Sequence, residues 1–240
     1  QAVFTQFNYH VSDALNIIAG IRHTKDEKSL VNVAENDPML REDLATKKDW
    51  SKTVGSLIAN YVVDDELTVY GKITQGYAAG VFNSGAIDRF AYLNPANLGQ
   101  ANYEGTLTPA DPEDTLAYEI GAKAMFFNDR IMLNTAIFYN DNTNLQVTVL
   151  DGAIRRSLNS GESKTVGIEF DAKFAATEDL MLSATYGNRD TKYTDETFSD
   201  LSRFSASLAM SWVVAEFDFA DLSVHADYVM NDEHQFSLID

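Results

Sequence analysis

The segment TLAYEIGAKAMF, residues 115–126, decides how the rest of the chain is read. Taken two residues at a time, it separates into two sets. Leu116, Tyr118, Ile120, Ala122, Ala124 and Phe126 share one parity; Thr115, Ala117, Glu119, Gly121 and Lys123 share the other. Successive side chains of a strand point to opposite faces, so this is a strand with one apolar face and one small or charged face. A tight Asn128-Asp129 turn follows. The next segment sets Ile131, Leu133, Ile137 and Tyr139 against Asn134, Ala136 and Asn140, with Phe138 breaking the pattern. Beyond a longer connection at 151–162, Val166, Ile168, Phe170, Ala172 and Phe174 alternate with Thr165, Gly167, Glu169, Asp171 and Lys173. After a turn at 175–179, Leu180, Leu182, Ala184 and Tyr186 alternate with Met181, Ser183, Thr185 and Gly187. A helical period fits these runs less well.

Outward from this block the same unit recurs. Upstream, strands are expected from Val3 to Val11, from Leu15 to about Thr24 with a charged tail to Lys28, from about Trp50 to Val62, and from Leu67 to Gly76. Downstream, Phe204 to Trp212 and Leu222 to Met230 alternate in the same way. About ten strands result, most of them about ten residues or longer, the length a tilted strand needs to cross a bilayer. Short turns fall near 12–13, 63–66, 127–130, 175–179 and 216–221; long connections fall at 29–49, 80–114, 151–162, 189–201 and from 231 on. The two kinds alternate strictly, so all short turns lie at one end of the strands and all long ones at the other. Outer-membrane barrels have this asymmetry, and soluble sandwiches more often have shorter strands and Greek-key crossings. Aromatics near strand ends, among them Tyr118, Phe126, Tyr139, Phe174, Trp212 and Tyr228, fit interfacial girdles as well as the general preference of aromatics for strands.

Composition narrows the function classes. The 240 residues carry a formal net charge of -18, which argues against a nucleic-acid backbone as partner. Cysteine is absent, so disulfides and thiolate metal sites are excluded. No apolar run is long enough for a membrane-spanning helix, which leaves barrel strands open. The four histidines, His10, His23, His225 and His234, lack ligand spacing, so no metal site is expected. Gly161-Glu162-Ser163-Lys164-Thr165 has Ser163 where a phosphate loop needs glycine, and no helix follows. No nucleophile elbow or acid/base constellation emerges, so no catalytic residue is assigned, no cofactor is expected, and the reading is not that of an enzyme. A porin, a barrel enzyme and a soluble β-sandwich binding module stay open as alternatives to a transport receptor.

Several stretches resemble TonB-dependent outer-membrane receptors. LTVYGKITQGYAAGVFN at 67–83 resembles their strand followed by a GYRAGGFN-like segment, and YEIGAK at 118–123 resembles their YELGLK strand. Leu133 to Val147 is similar to the strand after it. NSGE at 159–162 followed by VGIE at 166–169 resembles NAGE…GLE, LMLSA at 180–184 and YTD at 193–195 continue the likeness, and AGIRHT at 19–24 resembles the upstream AGLRYT strand. The resemblance covers nearly the whole chain in the family's order. It implies an all-β, antiparallel, up-and-down transmembrane barrel segment within the bacterial outer membrane, about ten strands of a barrel of 22. Residues 1–240 would be part of one barrel domain. The plug domain, the short box that engages TonB, the first strands and the last two strands would lie outside it. The implied activity is uptake of a ferric siderophore or similar chelate, powered through TonB, with lipid around the barrel.

On that reading the lumen face carries Glu119, Lys123, Glu169, Asp171, Lys173, Arg203, His225 and Asp227, because polar side chains against lipid are costly. The candidate substrate-binding residues lie in the long connections. Arg155 and Arg156 offer charge-assisted hydrogen bonds to an anionic chelate. Arg89, Tyr92 and Tyr103, in the longest connection, can do likewise or stack on catecholate rings.

Overall fold

A computed structural model of the chain describes residues 1–32, 44–82, 109–151, 154–194 and 203–232. Every regular element among them is a strand: β1 (Ala2–His10), β2 (Leu15–Asn32), β3 (Leu44–Val62), β4 (Leu67–Ala78), β5 (Glu113–Phe126), β6 (Ile131–Thr143), β7 (Gln146–Asp151), β8 (Ile154–Asn159), β9 (Glu162–Ala175), β10 (Leu180–Tyr193), β11 (Phe204–Phe217) and β12 (Ala220–Asn231). Ten of these form one antiparallel sheet in the order β1-β2-β3-β4-β5-β6-β9-β10-β11-β12. Each strand pairs with the next in sequence except where β7 and β8, a separate two-stranded hairpin, stand between β6 and β9. The connectivity is that of an up-and-down meander with no crossing.

Register aligns the faces across the sheet. Ile120 pairs with Ile137, Ile137 with Ile168, and Ala184 with Leu208, so the apolar parity of every strand lies on one surface. Among the described residues no second layer covers it. Ile120 is 63% exposed, Ile168 42% and Leu208 56%. Among the described residues only Trp50, Ala110 and Ala124 are buried hydrophobics, and none of these three makes a core. A sandwich would bury one face of each sheet against the other. This sheet instead turns its apolar face outward, which is stable only against hydrocarbon. The soluble-sandwich alternative is excluded on that ground.

The polar face is finished by close packing over glycine. Tyr70 pairs with Gly121 and its ring lies where a Cβ on Gly121 would sit; Phe138 does the same to its partner Gly167. The break in the alternation at Phe138 is thus an aromatic covering a bare stretch of backbone.

Turns are short at one end. Three of them share a device in which a side-chain oxygen takes the N–H groups two and three residues on. Ser12 Oγ accepts from Ala14 and Leu15, Asp64 Oδ1 from Glu66 and Leu67, and Thr177 Oγ1 from Asp179 and Leu180. The β5–β6 turn instead uses left-handed backbone at Phe127, Asn128 and Asp129 (φ 59°, 56° and 64°). Arg130 ties that turn to the next: its guanidinium donates to the carbonyls of Ala175 and Ala176 and lies 6.0 Å from the Phe174 ring centroid.

At the other end the strands reach further than the alternation indicates. β2 runs to Asn32 and β3 starts at Leu44, so much of the expected connection 29–49 is paired ladder. Ion pairs Lys25–Asp49 (3.6 Å) and Lys47–Glu27 (2.7 Å) join the two strands there. Charged residues stand on both faces of this extension, and the apolar Leu30 and Val31 are split between them, which is why no apolar period marks it. Likewise β6 stops at Thr143 instead of running to Val147. Asn144 adopts φ 55°, the chain leaves the sheet to form β7 and β8, and Gly161 (φ 63°) returns it.

Candidate functional site

Two regions present polar chemistry in a defined geometry: the polar face of the sheet and the node where long connections meet. On the polar face, β4, β5, β6 and β9 line a groove of about 400 Å³ with Tyr70, Glu119, Lys123, Asn134, Glu169 and Asp171. Alternation puts these side chains on one face, and the register sets them in rows. Lys72 pairs with Glu119 at 2.7 Å, and the Tyr70 hydroxyl donates to the same carboxylate at 2.8 Å. The Lys123 ammonium sits 5.9 Å from the Tyr70 ring centroid, and Asn134 donates to Asp171 at 3.4 Å. Further along, Thr185 bonds to Ser207 at 2.7 Å and His225 to Ser211 at 2.9 Å. Those of the expected lumen residues that lie in strands therefore share one face, and several are partnered by other side chains of that face: Glu119 by Lys72 and Tyr70, Asp171 by Asn134 and His225 by Ser211. A larger hollow of about 510 Å³ lies on the opposite, apolar face between Phe174, Leu182, Leu208 and Tyr228. Its walls belong to the surface that faces lipid.

The node lies at the end with long connections. Trp50, on the β3 extension, is 7% exposed. Lys28 and Lys48, cross-strand partners, hold their ammonium groups 5.8 and 5.4 Å from its ring centroid. Lys28 donates to the Gly80 carbonyl at 2.7 Å, and Lys48 pairs with Asp111 at 3.3 Å. Gly80 is required here, since a Cβ would lie 2.5 Å from both the Trp50 ring and the Ala110 carbonyl. Val81 and Ala110 exchange backbone hydrogen bonds, closing the neck of the β4–β5 connection. Nearby, Lys52 pairs with Asp114 at 2.7 Å.

The root of the β7–β8 hairpin is fastened to the same neck. Asn159 accepts from the Asp111 N–H at 2.6 Å and donates to the carbonyls of Asp111 and Asn144 at 2.9 and 2.8 Å. Gln146 donates from its side chain to the carbonyls of Ala79 and Asp111, and from its backbone to Glu113. On the outer part of the β2–β3 extension, hydrogen bonding to Glu27 raises the Lys47 ammonium above the usual lysine range, so it stays charged at neutral pH.

Of the expected substrate-binding residues, Arg155 and Arg156 lie in β8, their backbones opposite Leu150 and Val149. Arg89, Tyr92 and Tyr103 lie outside the described residues. Trp50 and Gln146 were not marked by alternation. Asn159 does fall in the NSGE stretch, and the structure supplies its reason: the amide cross-links two connections.

The geometry can be set beside known proteins. The family model described as TonB dependent receptor-like, beta-barrel matches residues 1–237. The pesticin receptors of Yersinia enterocolitica and Yersinia pestis are 23% and 24% identical over 175 and 177 residues. In both cases 72% of this chain is aligned, and it spans 23% of the curated relative's length. The ferric yersiniabactin uptake receptor FyuA of Yersinia pestis superposes with a TM-score of 0.75 at 18% identity, over 99% of this chain and 34% of that one. The siderophore receptor PiuA of Acinetobacter baumannii gives 0.69 at 19%, over 96% and 33%. The copper transporter OprC also gives 0.69, at 11% identity, over 95% and 33%. At such identities the superpositions establish the fold alone. The uncrossed meander, its uncovered apolar face and the family match along almost all of its length together show that the chain belongs to the TonB-dependent receptor β-barrel family and lies in the bacterial outer membrane.

Proposed function

We propose that this chain is part of the barrel of a receptor that takes up a ferric siderophore or a similar large, scarce metal chelate, with transport energised through TonB and a plug domain supplied elsewhere in the full-length protein. The observation that carries the reading is a sheet that is apolar outside and polar within, with every long connection at one end. That arrangement puts capture loops on one side of the membrane and a polar path behind them. The relatives add support: proteins described as a ferric yersiniabactin receptor and a siderophore receptor share the fold. On this reading Arg155 and Arg156, with Arg89, Tyr92 and Tyr103, meet the anionic chelate, and the polar face guides it. The role is transport: the family that matches along residues 1–237 is one of receptors.

The test is growth of a strain lacking the full-length receptor on a panel of iron chelates as sole iron source. A defect on one chelate, reversed by restoring the gene, supports iron-complex uptake. Normal growth on all of them contradicts it, and a defect confined to copper supply would move the cargo to copper.

A further inference from the structure

Trp50 is an anomaly in this molecule. Its other large apolar residues lie mostly on the outward face, uncovered, yet Trp50 is enclosed by protein at the membrane-distant end of β3. The indole N–H is buried and has no hydrogen-bond partner among the described residues. The ring is therefore held for its area and its faces, not for its polar atom. Two lysines directly opposite one another on a ladder repel. Lys28 and Lys48 are such a pair, and they are kept together by the Trp50 ring that both ammonium groups approach, the Gly80 carbonyl and Asp111. The edge of Phe82 completes the enclosure, with ring centroids 6.0 Å apart.

From these contacts we propose that Trp50 is a positioning residue that locks three long connections into one body. The β2–β3 extension holds the neck of the β4–β5 connection through Trp50, Lys28 and Lys48. That neck holds the root of β7–β8 through Asn159 and Gln146. The stance of the hairpin carrying Arg155 and Arg156 is then set by a tryptophan two connections away in sequence. The chain of links runs Trp50 to Gly80 and Ala110, from Ala110 to Asp111, and from Asp111 to Asn159. Isolated hairpins of this length are marginal in water, so β7–β8 depends on such anchorage for a fixed orientation. This placing of the connections is the same for any cargo.

The experiment places spin labels at Ser29→Cys and Leu158→Cys, exposed positions on the β2–β3 extension and on β8, in the full-length receptor in outer-membrane vesicles. Residues 1–240 contain no cysteine to compete for label. Double electron–electron resonance then reads the distance between the two connections. The parent gives one narrow distribution. Trp50→Ala broadens it at least about twofold, and Trp50→Phe keeps it narrow, because the indole N–H has no partner among the described residues to lose. Asn159→Ala, which leaves Trp50 untouched, broadens it as well. Heat-modifiable migration on gels stays at the parental value in all three, showing that the barrel is intact. A parental width in Trp50→Ala, or a Trp50→Phe distribution as broad as that of Trp50→Ala, overturns the proposal. Should Trp50→Ala fail to form a barrel, a narrow distribution in Asn159→Ala overturns it instead.

Discussion

Gly167 and Ile168 are neighbours in sequence and meet opposite surroundings. Ile168 stands on the apolar surface, level with Ile137; Gly167 lies beneath the Phe138 ring, with the Asn188 carbonyl 2.9 Å from where its Cβ would be. Two substitutions therefore fail for different reasons. Ile168→Arg sets a charge against hydrocarbon and is expected to cost about 2–4 kcal/mol if the site is near the bilayer midplane. Gly167→Ala forces the ring and the carbonyl apart and is expected to cost about 1–3 kcal/mol. Denaturant titration of the full-length receptor refolded into liposomes measures both. Phe138→Leu should recover part of the Gly167→Ala loss and none of the Ile168→Arg loss; equal recovery in both would contradict this distinction. At this scale the sequence was informative about Ile168, because alternation marks a face directly. It was misleading at Phe138, since alternation cannot show that the residue opposite has no side chain. It was silent at Trp50, where burial comes from residues separated by whole connections.

Elements were legible to the extent that one face was apolar. β5, β6, β9 and β10 could be read from their alternation, and their mutual pairing follows from the short turns and the uncrossed order. The outer halves of β2 and β3 could not, because charges, among them the Lys25–Asp49 and Lys47–Glu27 pairs, stand on both faces of the ladder and its few apolar residues favour neither. The likeness of Leu133 to Val147 to one family strand runs across Asn144, whose left-handed backbone ends β6 and lets β7 leave the sheet. The short turns supply a test at this scale. Asp64 Oδ1 accepts two backbone N–H groups at 2.9 Å each, and Asp64→Ala removes both bonds. A loss of about 1 kcal/mol is expected, with Asp64→Ser retaining most of the parental stability as Ser12 does at its own turn. Denaturation midpoints of the two variants check it; equal losses would show that the side-chain oxygen does not hold the turn.

At the scale of the whole molecule, stability and function rest on the same division of surfaces. A ten-stranded sheet whose large apolar residues lie uncovered has no independent interior, so lipid supplies what a core supplies elsewhere. The sequence showed this division through its period and through the alternation of short and long connections. It could not show the grip of the connections on one another, which depends on backbone carbonyls and single side chains such as Asn159. The most direct measurement is a scan of single spin labels along adjacent residues of the full-length receptor in outer-membrane vesicles: Glu119 with Ile120, Glu169 with Ile168, and Ser207 with Leu208. Relaxation by oxygen, which concentrates in lipid, and by a water-soluble nickel chelate is read at each position. Labels at 120, 168 and 208 should be reached by oxygen and shielded from nickel, while those at 119, 169 and 207 show less oxygen contact. Nickel reaching both members of each pair, or oxygen reaching neither, would contradict a lipid-facing barrel wall.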